Sequence, residues 1–212
     1  MVQQTVLFLC LLFNGLGWAQ DERYYRQILS GDLPRQGLGV QEATIQQFNV
    51  SGPSYHLDLN GDGLEEAIIP QKRDGVDWIE IQDSTQRKIF EAKLFAMGSE
   101  SALYKVKLVN ISERVKALIL FLDEGKTAGL KFESTARLYL ATYEDNNLSS
   151  MKLTTGPHFF HEKEAQREQY YRRDYQVNVR DLNNDKVREI VVEYGHIQRI
   201  LIYQGNGNWK RF

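Results

Sequence analysis

From Tyr55 to the C-terminus the chain is cut into short apolar runs: "EAIIP", "DWIEIQ", "KIFEAKLF", "LYKVKLV", "VKALILFL", "ARLYLATY", "YQVNVRD", "EIVVEY" and "RILIYQ". Several alternate strictly. In "YQVNVRD", Tyr175, Val177 and Val179 face one way and Gln176, Asn178 and Arg180 the other. A period of two is the signature of a β-strand with one buried face. Turn-forming residues separate the runs at Asp74-Gly75, Glu124-Gly125, Asp145-Asn146-Asn147 and Gly205-Asn206-Gly207. Many strands joined by short turns predict a mainly β fold: an antiparallel meander, a sandwich or a propeller-like stack of blades, open or partial. The 11 Tyr and 10 Phe suit such pleated, half-buried surfaces. One segment breaks the rhythm. "HEKEAQREQYYRRD", His161 to Asp174, is charged and has no β-branched residue, so a short helix or an ordered loop over the sheet is expected there.

The first twenty residues carry no charge, and their apolar run from Val6 to Phe13 is too short to span a bilayer. Gly17 and Ala19 are small residues before a cut at Gln20, which reads as a secretory signal peptide over residues 1–19. Bulky Phe8 and Leu9 before Cys10 argue against lipidation. Residues 20–53 follow as a helix and loop segment, with Tyr25, Ile28 and Leu29 on one helical face and Gly31 closing it. Residues 54–212 form the β-repeat domain. Cys10 is the one cysteine, so the mature domain holds together by packing, helped by metal if any. The expected setting is a bacterial periplasm or the extracellular space. The net charge of −2, without a basic block, gives no reason to expect nucleic acid as a partner, and no later segment is long and apolar enough to cross a membrane.

A repeat sits inside this domain. "DLNGDGLEEAIIP" from Asp58 aligns with "DLNNDKVREIVVE" from Asp181, and an apolar strand follows each. An eroded third copy, "VNISERVKALILFL", lies between them, with Val109, Ile111 and Glu113 where acids would stand. Calcium takes six to eight hard oxygen ligands. Asp58, Asn60 and Asp62 supply them at alternate positions, the Leu64 carbonyl comes next, and Glu66 closes the shell. Gly63 permits a turn at positive φ. The second set is Asp181, Asn183, Asp185, the Val187 carbonyl and Glu189. There Lys186 replaces the glycine at a cost on the order of 1 kcal/mol, and Lys186 and Arg188 bring positive charge near the ion. The competing reading is an Asx turn, in which Asp and Asn bond neighbouring amides without metal. An EF-hand needs Glu at the twelfth position between helices. Here Ile69 and Val192 stand there between strands.

The pattern Asp-x-Asn-x-Asp-Gly-x-x-Glu before an apolar strand resembles the FG-GAP or VCBS repeat of integrin α-subunit propellers and many bacterial exported proteins. That resemblance implies structural Ca2+ between the strands of propeller blades, held at the ten positions just named. It implies a non-catalytic exported module that binds a protein or a glycan. Trp78, Trp209, Tyr170 and Tyr171 are its candidate contact residues.

Enzyme readings have less to stand on. No nucleophile elbow or phosphate-cradling glycine loop is present, and thiol chemistry leaves with the leader. "HFFHEKE" holds His158, His161, Glu162 and Glu164, a set that zinc could use. A hydrolase acting on extracellular polymer, with its site between His158 and Tyr175, is the alternative function. It requires His158, His161 and Glu162 to converge in a cleft. His56 and His196 read as strand residues that pack or face solvent.

Overall fold

The computed structural model describes residues 40–42, 44–46, 54–96, 100–126, 132–164 and 170–212. The expected leader and N-terminal helix lie outside these residues. Every regular element described is a strand. In chain order they are β1 (Val40–Glu42), β2 (Thr44–Gln46), β3 (Ser54–Leu57), β4 (Glu66–Arg73), β5 (Val76–Gln82), β6 (Lys88–Leu94), β7 (Ala102–Asn110) and β8 (Val115–Lys126). They continue with β9 (Glu133–Glu144), β10 (Asn147–Glu164), β11 (Tyr170–Asp174), β12 (Gln176–Arg180), β13 (Glu189–Tyr194), β14 (Ile197–Tyr203) and β15 (Trp209–Arg211).

The strands form three antiparallel sheets: β2-β3-β4-β5-β6, then β1-β7-β8-β9-β10-β11, then β12-β13-β14-β15. Each is built on a four-stranded up-and-down meander. The sheets stack face to face, with the six-stranded sheet in the middle. One core joins Tyr55, Leu57, Leu59, Ile68, Ile79 and Ile81 of the first sheet and its loop to Leu118, Leu120, Leu122, Tyr139 and Tyr143 of the middle sheet. The other joins Ala117, Ile119, Phe121, Leu138 and Leu140 to Tyr175, Ile190, Val192 and Leu201 of the third.

This layering explains the sequence pattern. β8 is covered on both faces, so it reads as an unbroken apolar run whose alternate residues serve different cores. β12 is covered on one face, so it alternates: Val177 and Val179 pack inward, while Asn178 and Arg180 face outward and bond Glu193 at 2.7 Å each. The outer face of the first sheet is closed in the same polar way. Arg73 bonds Glu80 (3.1 Å), Glu91 and Gln71, and Lys88 bonds Glu91 (2.6 Å). Polar outer faces of this kind end a stack of repeats.

Three expectations are corrected. His161–Asp174 is not a helix or a loop where it is described: His161 to Glu164 end β10 and pair with β11 in the register His161↔Arg173, Lys163↔Tyr171. The charged side chains are tolerated because this hairpin lies at the sheet edge, where one strand has no further neighbour. Glu124-Gly125 is not a turn between strands. It is an irregularity inside β8, where the register slips between Asp123 and Lys126 and Gly125 takes φ 81°. Last, His196 is an exposed turn residue, not a strand residue. His56 does lie in a strand, half-buried, with Ser54 Oγ at 3.2 Å from its Nε2.

Candidate functional site

The two Asp-x-Asn-x-Asp loops connect the first and second strands of the two outer meanders, β3 to β4 and β12 to β13. Their backbones agree. Gly61 and Gly63 take φ of 83° and 85°, and Asn184 and Lys186 at the matching positions take 62° and 69°. Glycine reaches this region freely. Asn is tolerated there, and Lys is strained.

Six hydrogen bonds recur position by position. Asp58 accepts from the amides of Gly61 (2.6 Å) and Gly63 (3.0 Å), and Asp181 from those of Asn184 (2.7 Å) and Lys186 (2.9 Å). Asn60 Oδ1 accepts from Asp62 N (2.8 Å) and Asp62 Oδ1 from Leu64 N (2.8 Å). Their counterparts are Asn183 with Asp185 N (3.0 Å) and Asp185 with Val187 N (2.7 Å). Asn60 Nδ2 donates to Asp62 (2.9 Å), and Asn183 Nδ2 to Asp185 (2.9 Å). Finally, Glu66 Oε2 accepts from Leu59 N (2.7 Å) and Glu189 Oε2 from Leu182 N (2.9 Å). Both glutamates are 2% exposed.

These bonds are the Asx-turn component of the loop. Among the described residues no group of three or more His, Cys, Asp or Glu side chains is drawn together in metal-holding geometry. The donor set nevertheless fits a hard cation. In the first loop Asn60 Nδ2 reaches Asp62 Oδ2 at 2.9 Å and Glu66 Oε1 at 3.2 Å, so a partially positive N–H group lies between two carboxylates. Every carboxylate oxygen keeps a second lone pair after accepting one amide. Burial raises the pKa of Glu66 from its ordinary value. The amide of Leu59 opposes this, and the nearby charges of Asp62 and Asp58 add to it. A divalent ion would relieve that repulsion.

The loops differ in what covers them. Leu59 is fully buried, and its carbonyl accepts from Tyr143 Oη (2.7 Å) and Lys116 Nζ (3.0 Å) of the middle sheet. Leu182, at the equivalent position, is 46% exposed. The second loop meets the middle sheet through Arg188, whose amide donates to Ile111 O (2.7 Å). Lys116 and Tyr143 lie 57 and 84 residues from Leu59. No local sequence pattern announces them. The middle meander has a four-residue connection, residues 111–114, in place of the longer loops. There Ile111 is buried and its amide bonds Val115 O at 2.9 Å.

The alternative site does not assemble. His158 Nε2 lies 2.8 Å from Glu124, and His161 Nε2 lies 2.9 Å from a different acid, Glu133. His161 and Glu162 are successive strand residues and point to opposite faces. A cleft of about 320 Å³ does exist nearby, lined by Tyr104, Asp123, Ala136, Phe159, Phe160 and Asp174, but it contains none of the three. Glu124, 1% exposed, is a structural anion: burial works against its charge, but bonds from His158, Thr135 (2.6 Å) and Arg137 (2.7 Å) outweigh that and hold its pKa at about 2. Of the aromatic candidates, Trp209 is committed to packing: its Nε1 donates to Thr142 Oγ1 (2.9 Å) and its ring meets Tyr203 at 5.3 Å. Trp78 is half-buried under Arg73, 5.3 Å from the ring centre. Tyr171 lies in the β10–β11 hairpin, and nothing is described for the Tyr170 side chain.

No family model, no curated protein and no solved structure matches this chain. Among the described residues no helix is long and apolar enough to cross a membrane.

Proposed function

We propose that this chain is an exported, non-catalytic β-sheet module of the FG-GAP or VCBS kind, in which calcium stiffens the loops at residues 58–66 and 181–189 and the sheets present a surface to a protein or glycan. The observation that carries the reading is the pair of loops itself. Two segments 123 residues apart share six hydrogen bonds and two left-handed backbone positions, with a buried glutamate behind each set of oxygen donors. An all-oxygen donor set suits calcium better than zinc or copper. Asp58, Asn60, Asp62 and Glu66 supply the first shell with the Leu64 carbonyl, and Asp181, Asn183, Asp185 and Glu189 the second with that of Val187. The middle meander, on this reading, is a repeat that kept its strands and lost its ligands.

Calcium titration by calorimetry tests it. The parent binds two ions, the first loop more tightly because no lysine stands in it. Asp58→Asn and Asp181→Asn each remove one. A heat trace indistinguishable from buffer at millimolar calcium rejects the metal reading and leaves two Asx turns. Slow cleavage of a polymer abolished by His158→Ala would instead revive the hydrolase.

A further inference from the structure

Most arginines whose partners are described here are neutralised by acids: Arg73 by Glu80 and Glu91, Arg87 by Asp83, Arg114 by Asp145, Arg137 by Glu124 and Arg180 by Glu193. Three lie against rings instead: Arg172 is 5.4 Å from the Phe160 ring centre, on the other face of β11, and the remaining two share one strip. The Arg173 guanidinium lies 4.8 Å from the centre of the Tyr171 ring, and that of Arg199 lies 4.8 Å from the centre of the Tyr175 ring. Arg199 also donates to the His158 carbonyl (2.8 Å) and to Tyr175 Oη (3.5 Å). Among the described residues neither forms an ion pair with a carboxylate. Cation–π contact positions a guanidinium without cancelling its charge.

These residues form one strip. On β10 and β11, His161, Lys163, Tyr171 and Arg173 share a face. Lys163 Nζ lies 5.7 Å from the Tyr171 ring centre, and the His161 ring meets the same tyrosine at 5.5 Å. Tyr175 continues the strip toward the third sheet and touches Tyr194 at 5.6 Å. Tyr194 is 43% exposed. Among the described residues Glu133 is bonded to His161 on this surface, buried Glu124 lies beneath it and is neutralised by Arg137, and Asp174 belongs to the opposite face of β11. A chain with a net charge of −2 thus gathers fixed positive charge and phenol hydroxyls at one sheet edge.

We infer that this strip binds a carboxylate-bearing glycan, its uronate groups received by Arg173 and Arg199 and its hydroxyls by Tyr171 and Tyr194. A planar guanidinium fork matches a carboxylate, which a lysine cannot do. Stacked nucleobases are a poorer fit, because base stacking needs open ring faces, and those of Tyr171 and Tyr175 already carry cations. The inference rests on the reading of the chain as a non-catalytic binding module.

The test is binding of a fluorescent hyaluronan decamer to the whole chain in calcium buffer, with a maltodextrin of the same length, polyglutamate and oligothymidylate as comparisons. The expected result is micromolar binding of hyaluronan alone, weakened about tenfold by Arg173→Ala and several-fold by Arg173→Lys, and reduced at high salt. Arg199→Ala weakens it similarly. Because Arg199 also braces the His158 carbonyl, the Arg173 pair is decisive, read alongside an unchanged melting curve. Absent binding, binding indifferent to Arg173→Ala, or equal binding of polyglutamate or oligothymidylate each overturns the inference. Absent binding with two calcium ions still bound removes the strip and spares the loops. Cleavage of the bound decamer keeps the strip and removes the non-catalytic reading.

Discussion

The loops at 58–66 and 181–189 have the same internal wiring and different roofs. Leu59 is sealed under the middle sheet with Tyr143 and Lys116 on its carbonyl, whereas Leu182 is half in solvent. The sheets stack head to tail, so the face of the first sheet that carries Glu66 and Ile68 meets the middle sheet, while the matching face of the third sheet, with Glu189 and Val191, looks away from it. Local sequence sets the conformation of such a loop. What lies on top of it sets how much it contributes to stability.

The widest gap is expected at the paired leucines. Leu59→Ala empties a core site and should cost about 2–5 kcal/mol. Leu182→Ala removes an exposed side chain and should stay within about 0.5 kcal/mol. Denaturant titrations of both variants measure the gap, and equal losses would mean that the cover over Leu59 adds nothing.

Next come the aspartates that cap the turns. In chelator, Asp58→Ala and Asp181→Ala each take the acceptor from two amides that are exposed in both loops, so water replaces it and each should cost about 1 kcal/mol or less. Denaturant titration in chelator measures both, and a much larger loss for Asp58→Ala would mean that the cover over Leu59 reaches the turn amides as well.

The residue at the strained position can be swapped between the loops. Lys186→Gly relieves a left-handed lysine and should raise stability by about 1 kcal/mol. It should also tighten calcium at the second loop by removing a cation. Gly63→Lys should do the reverse at the first. Melting curves with and without calcium read both effects.

The smallest effect is in pH. The pKa of Glu66 is raised in the folded state, so ionising it costs stability above that value. In chelator the cost is recovered as pH falls through the raised folded pKa toward the ordinary value near 4.3. Glu124 has the opposite sign. With its folded pKa at about 2, its contribution is full above the ordinary value and is lost as pH falls below it. Stability without calcium should therefore rise slightly on mild acidification and then drop. Glu66→Gln should remove the rise and keep the drop, and bound calcium should suppress the rise by holding the carboxylate ionised.

Much of this was legible in the residues. "YQVNVRD" shows a strand with one wet face and "VKALILFL" a strand with none, and both lie where those patterns put them. The loops were legible because their chemistry is local: alternate oxygens, one residue at positive φ and a glutamate four places on; the second left-handed position, at Gly61 and Asn184, was not foreseen. What failed was the β10–β11 hairpin. β10 runs 18 residues through Gly156-Pro157, a pair that reads as a break. The structure makes it an irregularity, with the register shifting between Thr155 and His158. A Cβ at Gly156 would lie 2.9 Å from the Leu138 carbonyl oxygen, so the glycine marks a close approach of strands and not a turn. The charges of β11 pointed away from a strand because edge strands can afford them. The covering of Leu59 and the ion cluster around Glu124 arise from residues distant in sequence, and no period or motif encodes them.

If the loops hold calcium, thermal unfolding of the chain in 1 mM calcium and again in excess chelator must differ. A site of about 10 μM affinity would add about 2.7 kcal/mol at about 1 mM free ion. That is an upward shift of roughly 5–10 °C for a chain of this size, and Asp58→Ala should abolish most of it. Superimposable curves in the two buffers would contradict the claim.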